Sequence, residues 1–244
     1  VSFLDRIASA APKTAADVLI DAINLTFHPT LMGNAGESAV AVAEQAYEQG
    51  NFILVVEGGI PTAFGGACCW AWEVGGQKVT FQQAVQRYSA RALKIICAGT
   101  CAGWGGMSAA PPNPCGVVGV QSATGRSTIN VAGCPPHPDW IVWVISQLLI
   151  GAAITVDSYG RPTTLYPRTI HSVCPRRSAE DGDWGQDGRC LEELGCRGPS
   201  TYSTCSTSLF NGATNWCIGA NAPCIGCTQP TFPGSNAFFR EYKG

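Results

Sequence analysis

The chain has 244 residues, 45% of them hydrophobic and only 13% charged, with a formal net charge of −2. That length suits one full domain and a smaller second one, and the balance of charge excludes the basic footprint that nucleic acid requires. So little charge is too little to coat a lone globule, which implies a large face covered by another chain.

In chain order, Val1-Ser2-Phe3-Leu4 reads as the middle of a helix, with neither an initiator methionine nor a signal peptide. Residues 14–24 put Ala16, Val18, Leu19, Ala22 and Ile23 on one helical face, and residues 38–49 form a second helix rich in alanine and glutamate. The apolar run 51–57 stops at Gly58-Gly59, the pattern of a strand buried on both faces. A helix over 80–92 precedes a strand over 93–98 that stops at Gly99. A third strand over 129–132 stops at Gly133, and a helix follows over 138–149. The most apolar stretch, 140–154, is interrupted by Ser146, Gln147 and Gly151 and reads as a core helix rather than a membrane span. This rhythm predicts an α/β fold, a parallel sheet with crossover helices, over residues 1–156. From Asp157 the periodicity disappears and Gly, Pro, Ser, Asn and Cys dominate. Residues 157–244 are expected to form a second, irregular domain organised by metal rather than by a large apolar core.

Thirteen cysteines cannot all pair within the chain, and a domain of this size does not need disulfides to fold. They fall into groups. Cys101 and Cys134 each follow a strand that ends in glycine, so both are expected on one edge of the sheet, where functional loops of parallel sheets gather. Two thiolates are half of what a four-cysteine cluster needs, although small buried residues beside glycine turns read the same way. His171, Cys174, Cys190 and Cys196 form a second set of four donors, which zinc and an iron–sulfur cluster would both accept. Cys205, Cys217, Cys224 and Cys227 form a third, ending in a Cys-x-x-Cys followed by Pro230, the most specific local signal in the chain. A thioredoxin-like pair is the competing reading of that ending, but no strand precedes it. Cys97 reads as core. Cys68 and Cys69 lie in a glycine-rich loop, and neither they nor Cys115 declare a purpose.

Several motifs together resemble the small, electron-transferring subunit of nickel–iron hydrogenases. They are Phe27-His28-Pro29-Thr30-Leu31-Met32, Val56-Glu57-Gly58-Gly59-Ile60-Pro61, Gly99-Thr100-Cys101, Gly133-Cys134-Pro135-Pro136-His137-Pro138, Leu194-Gly195-Cys196-Arg197-Gly198-Pro199, Asn215-Trp216-Cys217 and Cys224-Ile225-Gly226-Cys227. The resemblance implies a flavodoxin-like domain followed by a small iron–sulfur domain. It assigns Cys101 and Cys134 to a proximal 4Fe–4S cluster whose other two ligands, a Cys-x-x-Cys, are expected upstream of Val1. It assigns His171, Cys174, Cys190 and Cys196 to a distal 4Fe–4S cluster at the surface, and Cys205, Cys224 and Cys227 to a medial one.

Two departures from the family pattern refine this. Many members have proline where this chain has Cys217, and their medial cluster has three irons; here a fourth thiolate is supplied, so a medial 4Fe–4S cluster of lower potential is expected, as in the selenium-containing branch. Oxygen-tolerant members carry an extra cysteine at the position of Gly106, so no such tolerance is expected here. The implied partners are a large subunit that holds the Ni-Fe centre and an electron carrier such as a cytochrome or a membrane quinone-linked subunit. The implied location is periplasmic or membrane-associated through a partner, with the cytoplasm as the alternative. The family position of Glu37 suggests a proton relay, and a carboxylate completing the first turn of a helix fits it equally. The rival readings are an electron-transfer subunit of a non-hydrogenase redox complex and a zinc-stabilised binding module.

Overall fold

Helices and strands alternate through the first half of the computed structural model, which describes residues 22–235 and 238–239. The helix expected at Val1–Leu4, and nearly all of the one expected over 14–24, lie outside the described residues. Helix α1 (Gly36–Gln49) buries Val40 and Ala43 and stops at Gly50, whose left-handed backbone (φ 68°) lets its N–H reach back to Ala46 O at 3.1 Å. Strand β1 (Ile53–Glu57) follows, then the two-residue strand β2 (Ile60–Pro61).

A hairpin that periodicity does not suggest comes next: β3 (Trp70–Val74) and β4 (Gln77–Thr80), antiparallel around Gly75-Gly76. Both glycines have positive φ, which a two-residue hairpin turn of this hand requires. Helix α2 (Phe81–Arg91) then starts on a reciprocal cap. Thr80 Oγ1 accepts from Gln83 N at 3.1 Å while Gln83 Oε1 accepts from Thr80 N at 2.9 Å.

Strand β5 (Lys94–Ala98) leads through the short helix α3 (Thr100–Trp104) to β6 (Val117–Val118), the short helix α4 (Val120–Thr124) and β7 (Ile129–Val131). The main sheet has the order β1-β5-β7, all parallel, with Val56 opposite Cys97 and Cys97 opposite Asn130. β2 and β6 pair separately, antiparallel.

Alternation along the central strand β5 divides the core in two. Ile95 and Cys97 join Val56, Ile60, Val85 and Val120 on one face. Ile96 points the other way and joins Val131, Trp140, Ile141 and Val144, the last three from helix α5 (Pro138–Leu149). That second core continues into Leu165, Tyr166, Ile170, Leu191, Trp216 and Ile218, so the irregular C-terminal region packs directly on the sheet.

Beyond α5 the described residues contain only short turns, isolated bridges and the four-residue helix α6 (Cys205–Ser208). Two buried arginines tie this region together. Arg161 pairs with Asp157 at 2.8 Å and donates to Thr228 O at 3.0 Å. Arg197 donates from its backbone N–H to Cys224 O at 2.7 Å and from its side chain to Pro233 O.

Candidate metal centres

The loops after β5 and β7 bring Cys101 and Cys134 to one sheet edge, as their spacing from the strands predicts. Gly99 N donates to Val131 O at 2.9 Å and Thr100 N to Gly133 O at 3.1 Å, so the two strand ends are laced together just before the cysteines. Burial pushes the Cys134 thiol up, and the nearby Cys101 sulfur adds to it. Gly106 belongs to the same pocket of backbone: a Cβ there would stand 2.8 Å from Cys101 Sγ, on a backbone with φ 51°. Only glycine leaves that sulfur its present place.

His171 opens a single turn of 3-10 helix that Cys174 closes, with Cys174 N donating to His171 O at 3.2 Å. The donor atoms of His171, Cys190 and Glu192 all lie within 4.8 Å of one another. Burial pushes the Cys196 thiol up, the backbone N–H groups of Gly198 and Cys224 oppose it, and the Cys174 and Cys190 sulfurs add to it. Of the four predicted donors, His171 and Cys190 lie together, and the Cys174 and Cys190 sulfurs are near enough to Cys196 to raise its thiol. Glu192, which sequence reasoning does not single out, joins them with Oε2 3.8 Å from His171 Nδ1. Its only sequence signal is its position two residues after Cys190.

Cys205, Cys217, Cys224 and Cys227 line one small cavity together with Ile170, Trp216, Ile225 and Thr228. Burial pushes Cys205 and Cys227 each up to about 12, and Cys224 higher still. A rise of about three units on Cys205 disfavours its thiolate by about 4 kcal/mol. Four thiols gathered around one apolar space cannot all ionise by themselves. A cationic iron core makes ionisation favourable, and an all-sulfur donor set in an apolar shell is the chemistry that iron–sulfur clusters take. The residues present fit such a group.

The three sets also touch. The Cys134 backbone N–H donates to the Cys227 sulfur, and the Cys134 sulfur adds to the rise on the Cys227 thiol. Cys224 N donates to Cys196 Sγ at 3.3 Å, which joins the second set to the third. Thr100, not singled out from sequence, sits at the first junction: its hydroxyl accepts from Gly133 N at 2.9 Å and donates to Cys227 O. His137 has a similar task. Its Nδ1 accepts from Asp139 N at 3.1 Å at the start of α5, which leaves Nε2–H to donate to Leu209 O in the cysteine-rich region. The motif around Cys134 therefore docks the sheet onto the third set. Glu37 lies apart from all three, in the first turn of α1, where Oε1 accepts from Gly75 N at 3.1 Å.

Residues 166–240 match the family model for the C-terminal part of the NiFe/NiFeSe hydrogenase small subunit, and residues 6–148 match NADH ubiquinone oxidoreductase, 20 Kd subunit. The periplasmic NiFe hydrogenase small subunit of Solidesulfovibrio fructosivorans is 39% identical over 225 residues, which cover 88% of this chain and 70% of that protein. The chain belongs to the NiFe/NiFeSe hydrogenase small-subunit family. The periplasmic NiFeSe hydrogenase small subunit of Desulfomicrobium baculatum is 37% identical, over 91% of this chain and 78% of that one. Among solved structures, a chain of the oxidized NiFeSe hydrogenase from Desulfovibrio vulgaris Hildenborough superposes with a TM-score of 0.91 at 32% identity, covering 99% of this chain and 93% of that chain.

As a member of this family the chain carries iron–sulfur clusters and pairs with a large subunit, where the Ni-Fe chemistry takes place. The named relatives are hydrogenase small subunits over both halves of the chain, while the match over residues 6–148 is shared with a non-hydrogenase redox complex.

Proposed function

We propose that this protein holds three 4Fe–4S clusters in series and passes electrons between the Ni-Fe site of its partner and an external carrier. The observation that carries this reading is the pair of junctions, Cys134 with Cys227 and Cys196 with Cys224, which link three separate donor sets into one line. Each cluster, when bound, supplies a one-electron couple. Cys101 and Cys134 hold the proximal group, together with two ligands expected upstream of Val1. Cys205, Cys217, Cys224 and Cys227 hold the medial group; all four line the same cavity, which supports four irons rather than three. His171, Cys174, Cys190 and Cys196 hold the distal group.

Backbone N–H donors set the sulfurs' environment: Arg176 N to Cys174 at 3.4 Å, Cys224 N to Cys196 and Gly226 N to Cys224 at 3.5 Å. Such bonds stabilise the thiolate and orient each ligand. The partial exposure of His171 and Cys174 makes that end the exit toward a cytochrome or quinone-linked carrier. A periplasmic location is supported by the names of the relatives above; among the described residues no helix is long and apolar enough to cross a membrane.

The test is iron and acid-labile sulfide per copy of this chain in the anaerobically purified complex, after correction for the partner's active-site iron. About twelve irons is the expected result. About eleven overturns the four-iron medial site, and about eight removes the proximal cluster and with it the connection to the partner.

A further inference from the structure

Apart from Cys97, which is buried in β5, three cysteines play no part in the donor sets: Cys68, Cys69 and Cys115. They come together at the end of the β2–β6 ladder. Beyond the paired residues Pro61 and Val117, the ladder continues irregularly, with Thr62 N and Ala63 N both donating to Cys115 O at 3.1 and 3.0 Å and Thr62 Oγ1 donating to Gly116 O at 2.7 Å. Both loops are preorganised. Asn113 brackets Val117 with two hydrogen bonds, Val117 N to its Oδ1 at 2.8 Å and its Nδ2 to Val117 O at 3.1 Å. Across from it, Phe64, Gly65 and Gly66 have consecutive positive φ, and Gly66 is packed so closely on α2 that a Cβ would meet Gln82 Oε1 at 2.9 Å. The turn delivers Cys68 to Cys115, close enough for the two thiols to act on one another. Both are free thiols; Cys68 is exposed and Cys115 partly so.

We propose that Cys68 and Cys115 are a redox-responsive pair that closes to a disulfide by exchange with a thiol-oxidising disulfide, either a small molecule or a protein. The thiolate of one member of the pair attacks one sulfur of the oxidant, forms a mixed disulfide and releases the first thiol. The other cysteine then displaces the second. The bond formed joins the two Sγ atoms, the bond broken is the oxidant's own disulfide, and the two electrons and two protons leave on its two thiols. Cys69 stays reduced, because its neighbour in sequence is a poor ring-closing partner while Cys115 already lies against Cys68.

The cross-link staples the two-residue ladder that braces Cys101. Gly59, next to β2, abuts the Val117 side chain, and a Cβ on it would lie 3.4 Å from Cys101 O and from Gly105 Cα. Oxidation would therefore stiffen the backbone behind one cluster ligand without touching a ligand. The cross-link itself does not depend on the cluster assignment.

The experiment is a non-reducing peptide map of the intact hydrogenase complex after incubation with oxidised glutathione and alkylation of free thiols. The expected result is a peptide linking Cys68 to Cys115 with Cys69 alkylated, lost on reduction with dithiothreitol, and still formed in Cys69→Ser. In Cys115→Ser the link is lost and Cys68 carries glutathione. Recovery of all three cysteines as alkylated monomers, or a dominant link through Cys69, overturns the proposal. Iron per complex is measured on Cys115→Ser in parallel: an unchanged value supports the pair as a non-ligand device, and a loss of one cluster's iron overturns it. A low count already present in the unsubstituted complex bears on the cluster reading alone, since the peptide map is read independently.

Discussion

The sheet half and the cysteine-rich half of this protein reach order by different routes. Through residue 149 the chain is arranged by periodic apolar burial: Ile95, Ile96, Val131 and Val144 are essentially inaccessible, and helices begin and end on ordinary capping chemistry. Beyond it, regular structure nearly vanishes, and the buried groups include thiols and two arginines. A half built on apolar contacts stores its stability in many small increments. A half built around buried thiols concentrates it in a few ligands, because those thiols are costly to ionise without metal and decisive with it.

The sharpest way to break this contrast is Cys224→Ala. With its thiol deep in the medial cavity and its backbone joined to Arg197 and Cys196, its loss is expected to remove about four irons per chain. It should also open residues 157–235 to proteolysis while the sheet half resists, as limited digestion followed by mass spectrometry would show. A digest that leaves both halves equally resistant would mean that metal does not organise the second.

Ile96→Ala probes the other route. Truncating a fully buried residue between β1 and β7 is expected to cost about 2–5 kcal/mol, seen as a lower Tm. Iron per folded molecule should remain normal.

Cys97 lies in the same strand, and burial pushes its thiol up to about 12 from 9.0. The sign follows from linkage. The folded state holds this proton more tightly than the unfolded state, so the contribution is fully present below about pH 9 and is lost as pH rises toward 12, up to about 4 kcal/mol. Stability measured by thermal unfolding from about pH 8 to 11 should therefore fall less steeply in Cys97→Ala than in the unsubstituted complex.

Thr100→Val tests the seam between the halves. Removing the hydroxyl that joins Gly133 N to Cys227 O should cost about 1–3 kcal/mol, because it leaves a buried N–H unpaired. The expected signature is a lowered Tm with full iron content.

The smallest effect belongs to the surface: Glu48→Gln, which breaks an exposed 3.5 Å pair with Arg91, should change stability by less than about 0.5 kcal/mol.

Much of the architecture is legible in the chain itself. The three parallel strands and the helices at 36–49, 81–91 and 138–149 follow the apolar periodicity and its glycine stops, because the patterns are local. The hairpin at 70–80 escapes that reading although Gly75-Gly76 announces it; its strands are short and none of Trp70, Trp72 and Val74 is fully buried, so the alternation is faint. The three donor sets come from residue type and motif; the structure gathers the third around one cavity and places Cys101 near Cys134 and His171 beside Cys190. Glu192, Thr100, Arg161 and Arg197 are not legible, since a charged or hydroxyl side chain in a loop carries no periodic mark of what it will touch.

Residue chemistry by itself determined that a parallel sheet would carry the first half and concentrated sulfur in the second, because side-chain type and spacing act over a few residues. Only the tertiary structure decided that Cys134 meets Cys227, that Cys196 meets Cys224 and that Cys68 meets Cys115. Those meetings join positions 93, 28 and 47 residues apart in the numbering of the chain, a separation over which order comes from packing and backbone hydrogen bonding rather than from local pattern.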